Sequence, residues 1–205
     1  DTMDRFATRF ARYGFRASAM TPVYGLAESS VGLAFPPLGR GPLIDRVDRV
    51  ALSRTGIARP VGAEDPAQRI VSCGLPLPDH AIRIVDAEGR ELPERALGHV
   101  QFQGPSATCG YFNNPEATRA LFDGAWLNTG DLGYLAAGEL FLTGREKDVI
   151  IRGGRNLHPQ ELEEAVSRLP GVRRGGVAVF PATDARSGTE RLVVLAEISD
   201  DTAAN

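Results

Sequence analysis

The sequence predicts a fold of the α/β to α+β class, in which a small antiparallel sheet or barrel precedes part of an α+β unit. Short strands bounded by glycine recur over about residues 72–144, in HAIRIVDAEGRELP, GHVQFQG and GELFLTG. After TGREKD the pattern changes to a strand, a glycine loop, a helix and two β-branched strands. We therefore expect a hinge near residues 145–148, between a first domain of residues 1–144 and a second of residues 145–205.

The first domain begins with a predicted amphipathic helix over residues 4–13, because Phe6, Phe10 and Tyr13 recur on one side. The stretch TPVYGLAESSVGLAF then indicates a strand, a turn and a buried segment. Residues 36–66 are rich in proline, glycine and charge and have no clear period, so no element is predicted there.

The second domain begins with a predicted strand at residues 149–152, followed by a glycine loop. A helix should start at Pro159 and run through QELEEAVSRL until Pro170 and Gly171 stop it. The segments GGVAVF and RLVVLAEIS then predict two further strands.

Composition is typical of a globular protein, with 42% hydrophobic and 24% charged residues among 205. A formal charge of -3 argues against nucleic-acid binding, and the N-terminal arginines recur at the spacing of a solvated helix face. They are Arg5, Arg9, Arg12 and Arg16. No apolar run approaches the roughly 18 residues of a membrane span, and we expect a cytoplasmic protein.

The cysteines and histidines form no metal or disulfide pattern. Cys73 and Cys109 lack a CxxC spacing, so two reduced and partly buried thiols are expected. His80, His99 and His158 stand apart in the sequence from any serine, cysteine or carboxylate at catalytic spacing, and we predict structural roles for them.

The first candidate motif is VYGLAESS, residues 23–30. Tyr24 offers a flat face, Gly25 allows a ligand to approach the backbone, and the Glu28 carboxylate suits Mg²⁺ beside phosphate. The alternative is a tyrosine–glycine pair that simply ends a strand.

Two further motifs combine turns with polar groups. GPSATCGYFNNPEAT, residues 104–118, predicts a turn and a helix start, and its aromatic pair could brace a neighbouring site. In TGDLGYL, residues 129–135, Asp131 is predicted in a glycine-flanked turn, where its oxygens could accept hydrogen bonds from ribose hydroxyls. The alternative is an aspartate that only forms the turn.

The fourth motif, TGREKDVIIRGGRNLHPQELE, occupies residues 143–163. Arg145 could meet phosphate or ribose oxygens with its planar fork. Lys147, the single lysine beside 22 arginines, suits an exposed pivot, unless it is a surface lysine left by chance. Gly153 and Gly154 keep a loop thin enough for a narrow ligand to pass.

In this order, the four motifs resemble the adenylate-forming enzymes, which include acyl-CoA synthetases, peptide-synthetase adenylation domains and luciferases. The resemblance covers roughly residues 13–198. Within this superfamily the motif sequences most resemble those of fatty acyl-AMP ligases, because Ala27 stands where most acyl-CoA synthetases and adenylation domains carry threonine. VSCGLPLPDHAIRIVDAEGREL and GREKDVIIRGGRNLHPQELE also resemble the ligases' barrel entry and hinge.

The resemblance implies a large AMP-binding domain with a small distorted β-barrel, followed by part of a small lid domain. Such enzymes use ATP and Mg²⁺ to convert a fatty acid into acyl-adenylate and pyrophosphate. The lid then rotates, and the acyl group passes to the phosphopantetheine thiol of an acyl carrier protein or to CoA. The implied roles are adenine stacking for Tyr24 with Gly25 beside it, Mg²⁺ binding for Glu28, ribose binding for Asp131, ribose or phosphate contact for Arg145, the pivot for Lys147, and the pantetheine path for Gly153 and Gly154.

Two features of the family are missing from this sequence. The phosphate loop should lie upstream of Tyr24, and the catalytic lysine should follow much later than Lys147. We therefore expect part of a ligase that is inactive alone, with an acyl-CoA synthetase or a non-catalytic adenylate- or carrier-binding module as alternatives. The ligase reading requires Tyr24, Asp131 and Arg145 to converge on one nucleotide.

Overall fold

The computed structural model describes residues 2–148, 150–152, 155–157, 159–183 and 190–198. The chain divides into two compact units. The first consists of Asp1–Leu52 and Gly56–Thr143, and the second of Ser53–Thr55 and Gly144–Asn205. Within the described residues, no helix is both long and apolar enough to cross a membrane.

Up to residue 145, helices and short strands alternate irregularly along the chain. The helices are α1 (Thr2–Phe10), α2 (Arg49–Thr55) and α3 (Pro115–Leu121). The strands are β1 (Ala34–Phe35), β2 (Ile44–Val47), β3 (Gln68–Val71), β4 (Leu75–Pro76), β5 (Ala81–Val85), β6 (Gly98–Gln103), β7 (Phe122–Asp123), β8 (Trp126–Ala136) and β9 (Glu139–Arg145).

The aromatic spacing near the N-terminus produces the predicted helix. In α1 the rings of Phe6 and Phe10 lie 4.5 Å apart, and Tyr13 follows in a 3-10 turn that ends at Gly14 (φ 84°). No residue of α1 is buried, so the helix forms without a covered apolar face. Phe6 also meets the ring of Phe15 edge to face, with the centroids 5.2 Å apart.

Residues 36–66, where the sequence shows no clear period, contain the strand β2 and the helix α2. The Asp48 carboxylate accepts hydrogen bonds from the backbone N–H groups of Val50 and Ala51, which starts α2, and Gly56 ends it with φ 67°. Strand β2 pairs antiparallel with β3. A seven-residue helix is too short for a periodic pattern, although its two caps are readable in the sequence.

The predicted antiparallel sheet is confirmed. Its order is β5-β6-β8-β7, with β9 paired to β8, and the sheet curls as a half-barrel. Leu140 and Phe141 are neighbours on β9 and belong to two different apolar clusters, because successive strand residues point to opposite faces. Both faces of the sheet are therefore packed against apolar side chains.

The second unit contains two antiparallel hairpins and a helix. Its strands are β10 (Ile150–Arg152), β11 (Arg155–Leu157), β12 (Val172–Thr183) and β13 (Glu190–Ile198), and its helix is α4 (Pro159–Val166). Strand β10 pairs with β11, and β12 pairs with β13. The helix contacts β12, where the Val179 backbone N–H donates to Glu163 Oε1 at 2.9 Å.

The α/β to α+β class is confirmed by this architecture and by the similar structures reported below. Strand β11 was not predicted, and α4 ends at Val166, short of the predicted stop at Pro170. The predicted glycine loop at Gly153 and Gly154 lies outside the described residues, as does His158.

Candidate functional site

Tyr24 and Asp131 meet through their side chains. The Tyr24 backbone pairs with Ala34, its ring lies in the core with Leu33, and its hydroxyl donates a hydrogen bond to Asp131 Oδ2. Burial raises the pKa of Tyr24 well above its usual value, and the bond to Asp131 raises it further, so the phenol stays protonated. Two motifs of the sequence are thereby joined at one point.

Tyr24 as a whole residue exposes 9% of its surface. A stacked base requires an open ring face, and little of this ring is open. Stacking of Tyr24 on adenine stays a prediction, and the contact that the structure shows is the one from its hydroxyl group.

Asp131 lies in a β-bulge, and its predicted placement in a turn is wrong. His99 pairs with Leu132 and Gln101 with Asn128, so β8 advances four residues while β6 advances two. The two extra residues fall around Gly130, whose φ is +75°. Bulges change the direction in which a side chain points, and here the bulge displaces Asp131 from the regular ladder.

Thr129 holds the bulge in shape. Its Oγ1 donates to the Val100 carbonyl at 2.9 Å and accepts from the Asp131 backbone N–H at 3.1 Å. The hydroxyl therefore replaces a ladder hydrogen bond that the extra residues remove. Asp131 is half-buried, which fits a carboxylate at the rim of a site.

Glu28 lies on the 3-10 turn Ala27–Ser29. The turn ends at Ser30, whose backbone is left-handed with φ 48°. The Tyr111 hydroxyl donates to Glu28 Oε1 at 2.5 Å. The second motif therefore contacts the first, as its predicted bracing role requires. The individual partner was missed, since the motif itself indicates only an aromatic pair in a turn.

A single carboxylate fits the expected role of Glu28 toward Mg²⁺. Protein-bound Mg²⁺ commonly takes one or two carboxylates together with phosphate oxygens and water. In the described part of the chain, no group of three or more histidine, cysteine, aspartate or glutamate residues could hold a metal ion. Binding of Mg²⁺ by Glu28 stays a prediction.

Gly25 is required by the chain's own backbone. A Cβ atom built on Gly25 would lie 1.5 Å from the carbonyl oxygen of Val31. The glycine thus lets the Glu28 turn close on itself. A further use of Gly25 for ligand approach stays a prediction.

A hydrogen-bonded chain ties this turn to the 104–118 motif. His80 Nδ1 lies 2.9 Å from the Pro78 carbonyl, to which it donates, and its Nε2 shares a hydrogen bond with Ser106 Oγ at 2.6 Å. Ser106 Oγ also lies 3.2 Å from the hydroxyl of buried Ser29. His80 is isolated in sequence but not in space, and these contacts give it an anchoring role.

Arg145 and Lys147 belong to the second unit. Arg145 ends β9 and Lys147 lies on the 3-10 turn Glu146–Asp148, and both are exposed. An exposed turn is compatible with a pivot. The meeting of Arg145 with Tyr24 and Asp131 stays a prediction, and Gly153 and Gly154 fall outside the described residues.

A family model described as AMP-binding enzyme matches residues 1–112, more than half of the chain. The chain belongs to the AMP-binding enzyme family. The resemblance read from the four motifs is therefore confirmed. Family members of the adenylate-forming type use ATP.

Among similar proteins, this AMP-binding enzyme is 41% identical over 179 residues to a putative acyl-CoA synthetase of Caulobacter vibrioides, covering 85% of this chain and 31% of that protein. It is 36% identical over 210 residues to the long-chain-fatty-acid–AMP ligase FadD26 of Mycobacterium tuberculosis, covering 96% and 35%. A solved structure from work on the fatty acyl-adenylate ligases of E. coli and L. pneumophila has a TM-score of 0.85 at 36% identity, covering 97% and 36%. The chain thus spans about a third of the length of the relatives it matches.

Proposed function

We propose that this AMP-binding enzyme takes part in the activation of a fatty acid with ATP, which yields an acyl-adenylate and pyrophosphate. The observation that carries the proposal is the hydrogen bond between Tyr24 and Asp131, which joins two family motifs 107 positions apart. The names of the similar ligases support a fatty acid as the substrate.

The proposed roles follow from the chemistry of each side chain. Asp131 accepts hydrogen bonds from ribose hydroxyls, and Tyr24 holds its carboxylate and borders the adenine with Gly25. Glu28 binds the Mg²⁺ of the nucleotide, and the bound ion supplies positive charge beside the phosphates. Arg145 offers a planar fork of N–H donors to ribose or phosphate oxygens.

We also propose that residues 1–144 belong to the large AMP-binding domain and residues 145–205 to its lid. Lys147 is then the pivot, and Gly153 and Gly154 line the path of the pantetheine arm. The acceptor is the phosphopantetheine thiol of an acyl carrier protein, or alternatively CoA. The similar proteins carry names of both kinds, an AMP ligase and an acyl-CoA synthetase.

The isolated 205-residue chain should not complete this reaction. Its relatives are about three times longer, and its single lysine is Lys147 on the exposed turn. A preorganised cation at the reacting phosphate typically contributes about 3–4 kcal/mol to the barrier, so a site without one loses on the order of 10²–10³ in rate.

We propose that these 205 residues are part of a longer polypeptide, called the intact gene product, and the test compares that polypeptide with the 205-residue chain. Each receives ATP, Mg²⁺ and a long-chain fatty acid, and pyrophosphate release is measured, first without an acceptor and then with CoA or a phosphopantetheinylated carrier protein. We expect release by the intact product and none above background from the 205-residue chain. Robust pyrophosphate release by the isolated 205-residue chain would refute the expectation that it is inactive alone.

A non-catalytic adenylate- or carrier-binding module is distinguished by the same samples. Calorimetry with AMP and with an acyl-adenylate would show tight binding to the intact product without any pyrophosphate release. That combination would replace the ligase proposal with the binding role.

A further inference from the structure

We propose that Tyr111 is a positioning residue, which holds the Glu28 carboxylate in the orientation that binds the metal of the nucleotide. This inference rests on the proposed function. It concerns a residue that lies 83 positions from Glu28 and reaches it from a different loop.

The contact itself is short and directional. The Tyr111 hydroxyl lies 2.5 Å from Glu28 Oε1, and the acceptor is a carboxylate, so the bond is short and charge-assisted. Among the described residues, the Tyr111 hydroxyl is the side chain that forms a hydrogen bond with the Glu28 carboxylate. A glutamate has three rotatable side-chain bonds, and fixing one of its oxygens removes much of the freedom that metal binding would otherwise have to remove.

Tyr111 is itself held by helix α3. The Tyr111 backbone N–H donates to Thr118 Oγ1 at 2.9 Å. The Thr118 hydroxyl in turn donates to the Asn114 carbonyl at 2.9 Å. Asn114 caps α3 by accepting from the Ala117 N–H at 3.0 Å. The first turn of the helix therefore sets the place from which Tyr111 reaches out.

Gly110 makes this approach between the loop and the helix possible. A Cβ on Gly110 would lie 2.5 Å from the Thr118 methyl carbon, and its φ is +136°. On the other side, the Thr108 backbone N–H donates to the Glu28 carbonyl at 2.8 Å. The loop is thus attached to α3 at one end and to the Glu28 turn at the other, as expected of a support that orients a ligand.

The alternative is that the Tyr111 hydroxyl only stabilises the loop, and this explains the arrangement less well. Tyr111 is 41% exposed and lies on the surface, where a hydrogen bond adds little to folding. Its backbone attachments to Thr118 do not need the phenol. The hydroxyl is therefore expected to matter for the orientation of Glu28 more than for the stability of the loop.

The test measures binding of a non-hydrolysable ATP analogue to the intact gene product by calorimetry, with Mg²⁺ and with EDTA. The ratio of the two dissociation constants reports the gain in affinity that the metal provides. Tyr111→Phe removes the hydroxyl and keeps the ring, and we expect it to reduce this gain roughly 10-fold while the affinity in EDTA is unchanged. Tyr13→Phe, which changes an exposed tyrosine in the N-terminal region, is the matched control and should leave the ratio as it is.

A double variant separates positioning from other effects. Glu28→Gln should lose the metal-dependent gain, and adding Tyr111→Phe to it should cause no further loss, because Tyr111 acts through Glu28. The proposal is overturned if Tyr111→Phe weakens binding equally in EDTA, if its effect persists in the Glu28→Gln background, or if neither variant changes the ratio. The two variants could instead change the metal-dependent gain as expected while the intact gene product releases no pyrophosphate. That result would count against the proposed function and would leave the positioning role of Tyr111 standing.

Discussion

The hydroxyl of Tyr24 donates a hydrogen bond to the Asp131 carboxylate, although 107 positions separate the two residues. One lies beside a 3-10 turn and the other in a bulge of the central sheet. A buried phenol that stays protonated can hold a carboxylate at the rim of a site without neutralising it. The pair therefore fixes one carboxylate oxygen in place before any ligand arrives.

We predict that Tyr24→Phe weakens both folding and nucleotide binding in the intact gene product. Loss of a hydrogen bond to a charged group should lower the free energy of unfolding by about 1.5–3 kcal/mol. AMP affinity should fall because Asp131 loses its support. Denaturant titration and calorimetry measure the two effects, and Tyr13→Phe is the control.

The pair should also be coupled in a double-mutant cycle. Once Asp131→Asn has removed the charged acceptor, Tyr24→Phe should cost less than it does in the native protein. Strictly additive losses in unfolding free energy would show that the two side chains act independently in solution.

Thr129 should matter for binding through the shape of the bulge. Thr129→Val keeps the volume and removes the hydroxyl that bonds Val100 and Asp131. We expect a loss of about 1–2 kcal/mol in unfolding free energy and weaker AMP binding, because the Asp131 backbone N–H loses its acceptor. Thr129→Ser retains the hydroxyl and should preserve AMP affinity, and equal affinities for the valine and serine variants would contradict the role given to Oγ1.

Gly25→Ala should disrupt the Glu28 turn. Its new methyl group would lie 1.5 Å from the Val31 carbonyl oxygen, so the backbone must move, and we expect a loss of at least about 3 kcal/mol in unfolding free energy. Gly39→Ala is the control, since a Cβ there meets nothing within 4 Å and only its φ of +77° is unfavourable, which costs about 1–2 kcal/mol. Similar losses for the two variants in denaturant titrations would rule out the backbone clash.

The two thiols should differ in reactivity and in their effect at alkaline pH. Burial raises the pKa of Cys73 to about 11 from its usual 9.0, while Cys109 is exposed. A disulfide reagent at pH 8 should therefore modify Cys109 quickly, and Cys73 only when the protein unfolds. Reaction of both thiols at the same rate in the folded protein would contradict this.

The same shift predicts how stability changes with pH. The folded state holds the Cys73 proton more tightly than the unfolded chain does, so the contribution of this thiol is complete below pH 9.0 and is lost as pH rises toward about 11. Cys73→Ser should flatten the decline of unfolding free energy across this window. Cys109→Ser is the comparison and should leave the slope unchanged.

Lys147 should separate the two half-reactions if it is the pivot. Lys147→Pro restricts φ at the exposed Glu146–Asp148 turn, so acyl transfer to the thiol acceptor should slow while pyrophosphate release continues. Lys147→Ala keeps the backbone free and should retain both steps. If the alanine variant lost acyl transfer as severely as the proline variant, the charge of the lysine and not rotation would be its contribution.

Much of the fold was predictable because its signals are local. Glycines bound the strands of the main sheet, and Asn114 with the following proline marks the start of α3. Helix α2 was missed because seven residues show no period, although Asp48 and Gly56 cap it as expected of a helix. The bulge at Asp131 was missed because extra residues become visible only once the partner strand β6 is known.

The sequence by itself determined the family, the order of the motifs and the chemical type of each candidate residue, since these depend on residue identity along the chain. Only the tertiary structure decided that Tyr24 bonds Asp131, that Tyr111 bonds Glu28 and that His80 bonds Ser106. These contacts join residues 107, 83 and 26 positions apart. A hydrogen bond requires its two atoms to lie within about 3 Å of each other, and strand register, a bulge and loop packing set that distance together.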